Sequence, residues 1–167
     1  MKSKIHNMKF DIKKLPMVLL LCVPAHAEET LRTIPVPPAL SAYVVESTGY
    51  ALPVGVMISV VSNDDEILTH HNALAAGIDA VAAAAEKHGQ IYLSARYADD
   101  LEAAQSKALI VHELTHVAQE TNKTPYYCDG QKEAEAYTIQ NKFLNDSGLP
   151  PAIDAETIVL FRSCKGY

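Results

Sequence analysis

No apolar run in this sequence is long enough to cross a bilayer, no C-x-x-C pair occurs, and no segment repeats. Each absence removes a class of protein. The stretch LPMVLLLCVP, Leu15 to Pro24, is broken by Pro16 and Pro24, and a spanning helix needs about 20 apolar residues to cross roughly 30 Å of hydrocarbon. Positive charge is scarce as well, with 14 Lys and Arg against 20 Asp and Glu and a net charge of −6. The basic residues form no stripe or cluster once the first few are set aside. Nucleic acid and anionic membrane surfaces are therefore poor partners.

The basic residues that do cluster explain the start of the chain. Lys2, Lys4, Lys9, Lys13 and Lys14 precede the short apolar stretch, and Ala25-His26-Ala27 follows it with small residues where a signal peptidase reads. This is the pattern of a cleaved secretory signal over residues 1–27. Leu21 before Cys22 does not suit lipid attachment. Cleavage removes five lysines and one aspartate, so Lys plus Arg falls from 14 to 9 and Asp plus Glu from 20 to 19, a mature charge of −10. Residues 28–167 then form a single domain, large enough to bury a core. The expected location is the periplasm or the exterior, with no stable membrane insertion after cleavage. Cys128 and Cys164 remain, and an even pair in an exported chain predicts one disulfide.

Along the mature chain, EETLRTIPVPPA reads as an extended arm and LSAYVVEST (Leu40 to Thr48) as a helix ending at Gly49. VGVMISVVS (Val54 to Ser62) and QIYLS (Gln90 to Ser94) read as strands. Between them, the alanine-rich Ile78 to Gly89 reads as a helix. A long helix follows within Asp99 to Glu120, capped by Asp99, Asp100 or Ser106, then a second within Gln131 to Asp146 and a short closing one. The class is α+β, mainly helical with a short β-sheet.

The long helix carries the chemistry. Ile110, Val111, Leu114, Val117 and Ala118 fall on one arc about 120° wide at 100° per residue, and His112 and His116 share a ridge off that stripe. Two imidazoles at i and i+4 can turn ring nitrogens to one zinc ion. Glu113 between them is placed to act on a water as general base and acid, the H-E-x-x-H logic. A catalytic zinc needs a third protein ligand. Glu133 and Glu135 follow on the next helix, about 200° apart around it, so only one can face the ion. Ala136, Ile139, Gln140 and Phe143 mark that helix's inward side, slightly nearer Glu133.

HELTH (His112 to His116) followed by E-x-x-A-Y (Glu133 to Tyr137) resembles the gluzincin branch of zinc metallopeptidases. The phrases HELTHVAQ and EAEAYTIQNKFL also resemble secreted bacterial zincin-like domains, over Ile91 to Leu144. The resemblance implies a small zincin-like domain with the motif on a central active-site helix and Glu133 as third ligand. Tyr137 stands where the branch carries Asp or Asn. It further implies a peptide or protein substrate, lying along QIYLS as an edge strand. Tyr92, Tyr97, Tyr126, Tyr127 and Tyr137 are candidates for stabilising an oxyanion. His70-His71 reads as loop, and Asp99-Asp100 as a cap rather than a calcium site. The expected protein is an exported zinc metallohydrolase, a peptidase with Glu113 as base. Its rival is a catalytically silent zincin-fold binding or structural protein that keeps the zinc.

Overall fold

The computed structural model describes residues 32–62, 84–87 and 89–165. The leader expected over residues 1–27, and His70-His71, lie outside the described residues. Four strands and five helices follow in the order β1 (Arg32–Pro35), α1 (Pro38–Thr48), β2 (Met57–Val61), β3 (Ala84–Lys87), β4 (Gln90–Ser94), α2 (Ala95–Ala98), α3 (Ala104–Asn122), α4 (Asp129–Asp146) and α5 (Ala155–Arg162). The α+β class holds, with helices dominating.

The sheet runs β1-β2-β4-β3, with β2 and β4 parallel and the outer pairs antiparallel. Two expectations fail here. Of the stretch Ile78 to Gly89, read as helix from its alanines, Ala84–Lys87 is a strand and residues 78–83 lie outside the described residues: Glu86 pairs with Ile91 and Lys87 with Gln90. Gly89 takes φ 80 in the tight turn between the two strands, a conformation glycine adopts without steric cost. Sheet pairing overrides the weak helical preference of the alanines. Consequently β4, the QIYLS segment, is an interior strand flanked on both sides, and β1 and β3 are the outer strands among the described residues.

Alternation in the sheet builds the core. Ile58 and Val61 of β2 and Ile91 and Leu93 of β4 are fully buried, and Ile58, Ile91 and Leu93 join Leu40 and Val44 of α1 in one cluster. The aliphatic stripe of α3 completes it, with Ile110, Val111, Leu114, Val117 and Ala118 at 0–1% exposure. That stripe is the arc read from the sequence.

The start of α3 differs from expectation. None of Asp99, Asp100 or Ser106 caps it. The helix begins at Ala104 with Ala103 as N-cap and no side-chain cap bond, and Asp100 instead accepts the backbone N–H groups of Glu102 and Ala103 in the preceding turn, each at 3.1 Å. α3 ends at Lys123, whose φ of 50 is left-handed and lets its N–H reach the Gln119 and Glu120 carbonyls. α4 packs along α3 and α5 along α4. Asp154 caps α5 by accepting Thr157 N–H at 2.7 Å. A disulfide joins Cys128, the N-cap residue of α4, to Cys164 after α5, with Cα atoms 6.0 Å apart. No helix among the described residues is long and apolar enough to cross a membrane.

Candidate metal centre

α3 binds the sheet through one face, so its other side must be covered by something else, and α4 covers it. His112 lies beneath that helix at 6% exposure, and Glu113 keeps only 4%. The i, i+4 spacing puts the two imidazoles on one ridge, with ring centroids 4.8 Å apart. Their Nε2 atoms approach to 3.1 Å. Glu133, five residues into α4, reaches across with Oε2 at 3.3 Å from His112 Nε2 and Oε1 at 3.3 Å from His116 Nε2. Glu133 is thus the glutamate that joins the pair, and the alternative, Glu135, does not.

The outer nitrogens are held just as firmly. His112 Nδ1–H donates to Gln140 Oε1 at 3.0 Å, and His116 Nδ1–H donates to Gln119 Oε1 at 2.9 Å. Gln119 and Gln140 are themselves buried. With both Nδ1 protons directed outward, both Nε2 atoms turn lone pairs toward Glu133. Three electron-rich groups therefore converge in a poorly solvated space, which is unfavourable unless a cation lies among them.

A proton is one such cation. Burial works against charge on His116, but the Glu133 carboxylate and its hydrogen bond, helped by Glu113, push the imidazole up to about 10. Burial alone would raise the Glu133 carboxyl; the His116 charge and bonds from both imidazoles hold it far below the usual carboxylate range instead.

A metal ion is the other. Ligands about 2.0–2.1 Å from a tetrahedral ion stand roughly 3.3–3.4 Å from each other, close to the 3.1–3.3 Å separations of His112, His116 and Glu133. One ligand atom from each of the three residues lies within 4.8 Å of the others. The donor set, the tautomers and the spacing fit a divalent ion.

Glu113 differs in kind. Its Oε2 is the one buried side-chain polar atom without a hydrogen-bond partner among the described residues. Glu135, the glutamate that does not reach the histidines, is part of a network. Its Oε1 accepts Tyr50 O–H at 3.2 Å, and its Oε2 accepts Gln119 Nε2–H at 2.9 Å and the Tyr126 hydroxyl. Burial, then the bond to Glu135, raises the Tyr126 phenol and keeps it a donor. Tyr137, in the position where the gluzincin pattern has Asp or Asn, packs its ring edgewise on His112 at 4.4 Å.

The remaining candidate tyrosines make other contacts or are exposed. Tyr92 donates to Gln90 at 3.5 Å, Tyr97 sits under the Arg96 guanidinium, and Tyr127 is 90% exposed. The groups that orient the histidines, which no motif in the sequence assigns, are Gln119 and Gln140. Gln119 gave a signal, since it falls on the histidine side of the same helix. Gln140 gave a weaker one, as part of the inward face of α4.

No curated protein and no solved structure matches the chain. The family described as Domain of unknown function (DUF6647) matches residues 56–166. That span takes in β2 to α5 and every residue of the His112, His116 and Glu133 cluster, while β1 and α1 precede it. It covers well over half of the sequence, and the chain belongs to the DUF6647 family.

Proposed function

We propose that this is an exported zinc metallohydrolase, a peptidase, in which His112, His116 and Glu133 hold zinc and Glu113 is the general base. The observation that carries the reading is the unpartnered, buried Glu113 Oε2 beside the His112, His116 and Glu133 cluster. Leaving a buried acceptor without a partner costs about 1–3 kcal/mol, a cost with no use in a purely structural site. Bound zinc supplies Lewis acidity, lowering the pKa of a water and polarising a scissile carbonyl. Glu113 would take a proton from the attacking water and return it to the leaving amine as the carbonyl carbon gains oxygen and loses nitrogen. Gln140 and Gln119 hold the two imidazoles so that Nε2 stays a ligand atom.

Two N donors and one O donor suit zinc, although two histidines and one carboxylate also suit ferrous iron. The H-E-x-x-H arrangement, in which a base sits between the ligands, favours zinc and hydrolysis. The Cys128–Cys164 disulfide supports an oxidising, exported location. The resemblance to gluzincins supports a peptide or protein substrate.

One observation favours the rival reading of a silent zincin-fold binding protein. His112 and Glu113 are nearly closed to solvent, as suits a metal held for structure. Glu113→Gln separates the two. It keeps shape and hydrogen bonding but removes the base. Hydrolysis of a mixed peptide library should fall by about 10²–10⁴-fold while zinc content stays at the wild-type level. Equal, nonzero hydrolysis by both proteins defeats the mechanism, and no hydrolysis by either supports the silent reading.

A further inference from the structure

The amide of Gln119 can face His116 with either end, and only one end leaves the imidazole able to bind metal through Nε2. If Gln119 Nε2 faced the ring, His116 Nδ1 would have to accept. Its proton would then sit on Nε2, pointing at Glu133. Two acceptors prevent this. Gln119 Nε2 donates to the Lys132 carbonyl at 3.0 Å and to Glu135 Oε2 at 2.9 Å. A primary amide has two N–H donors, so both are used, and only the oxygen is left for His116.

We propose that Glu135 is a positioning residue of the metal centre: clamped by Tyr50 and Tyr126, its carboxylate fixes the Gln119 amide, which holds His116 in its metal-binding tautomer. The inference rests on the metal-site reading above. Glu133 and Glu135, two apart on α4 and about 200° apart around it, thus serve one centre in different ways. Glu133 meets the Nε2 atoms directly; Glu135 acts two hydrogen bonds away.

Tyr50 and Tyr126 give the clamp its rigidity. Tyr50 follows α1, Tyr126 lies between α3 and α4, and each donates its hydroxyl to Glu135. The carboxylate is therefore held from parts of the chain that carry no ligand. Its negative charge also polarises the Gln119 amide and, through it, the His116 N–H, which strengthens His116 as a donor to a metal.

The test is zinc affinity, measured by chelator competition on the full mature chain, in wild type, Glu135→Ala, Gln119→Ala and the double variant. Outer partners of this kind are worth about 10–100-fold in metal affinity. Glu135→Ala should lose about tenfold, near the lower end of that range because Lys132 still holds one N–H. The double variant should be no weaker than Gln119→Ala alone, since Glu135 acts only through Gln119.

Multiplicative losses in the double variant, or wild-type affinity in Glu135→Ala, overturn the proposal even if Glu135→Ala lowers the melting temperature. Should Glu135→Ala not fold, an exchange decides. Gln119→Glu alone sets two carboxylates in contact and should weaken zinc binding. Adding Glu135→Gln restores one donor and one charge to the pair, although not the N–H to the Lys132 carbonyl, and should recover most of the affinity that Gln119→Glu loses. Failure of that rescue overturns the proposal. Absence of zinc binding by the wild-type chain overturns the metal site itself, which is a different result.

Discussion

His112 and His116 set their Nε2 atoms 3.1 Å apart while their Nδ1 atoms turn away to different glutamines, Gln140 and Gln119. The pairing fixes the chemistry of the space between them. Two lone pairs and a carboxylate on Glu133 require a cation, and the protein without metal meets that need with a proton on His116.

The pH dependence of the metal-free protein follows. His116 rises from 6.5 to about 10 on folding, so its contribution to stability is complete below about pH 6.5 and is lost as pH climbs through 10. Glu133 is lowered from 4.5, so its contribution is complete above about pH 4.5 and is lost as pH falls below that. Chelator-treated protein should therefore gain most from this pair between about pH 4.5 and 6.5, and its melting temperature should fall from pH 7 to 10. Zinc-loaded protein, with the ion in place of the proton, should not show that alkaline fall. Parallel melting curves for the two forms across pH 7–10 contradict the assignment.

Metal uptake at pH 7 should release protons, because the same His116 proton must leave. Calorimetric titrations in two buffers of different ionisation enthalpy should give about one proton released per zinc. A buffer-independent heat contradicts the charged His116.

The Cys128–Cys164 bridge closes a separation of 36 residues and anchors the start of the helix that carries Glu133. Its loss should cost about 2–4 kcal/mol. Denaturant unfolding of Cys128→Ser/Cys164→Ser against wild type measures this, and non-reduced mass should be two hydrogens below the reduced value. Two freely alkylatable thiols in protein from its native compartment contradict the bridge.

Lys123 holds a left-handed φ of 50 at the end of α3, where a side chain costs about 1–2 kcal/mol. Lys123→Gly relieves that cost but adds freedom to the unfolded chain. The net gain should be about 0.5–1 kcal/mol, seen as a higher urea midpoint with an unchanged slope. A lower midpoint contradicts it.

The parts of this site that were legible in the sequence are those set by one helix. His112 and His116 are neighbours on any α-helix, and the aliphatic stripe of α3 follows from the same 3.6-residue period. Glu133 was harder, because periodicity separated it from Glu135 by a small margin, and only the resemblance to gluzincins put it in the ligand position. What escaped depends on how helices pack. Gln140 is 28 residues from His112, and Glu135 is 16 from Gln119, distances at which no local rule applies. The alanines of β3 misled for a related reason. Their partner is β4, and the pairing that makes them a strand also moves QIYLS from the edge to the interior.

The central claim is that His112, His116 and Glu133 together hold one zinc ion, and metal content tests it most directly. Purified wild-type protein, Glu133→Ala and Glu113→Gln would be loaded with zinc, desalted and measured for bound metal per chain beside an iron-loaded control. The account predicts one zinc per chain in wild type and in Glu113→Gln, with stoichiometric binding lost in Glu133→Ala. No zinc in the wild type, or a full equivalent in Glu133→Ala, would contradict it.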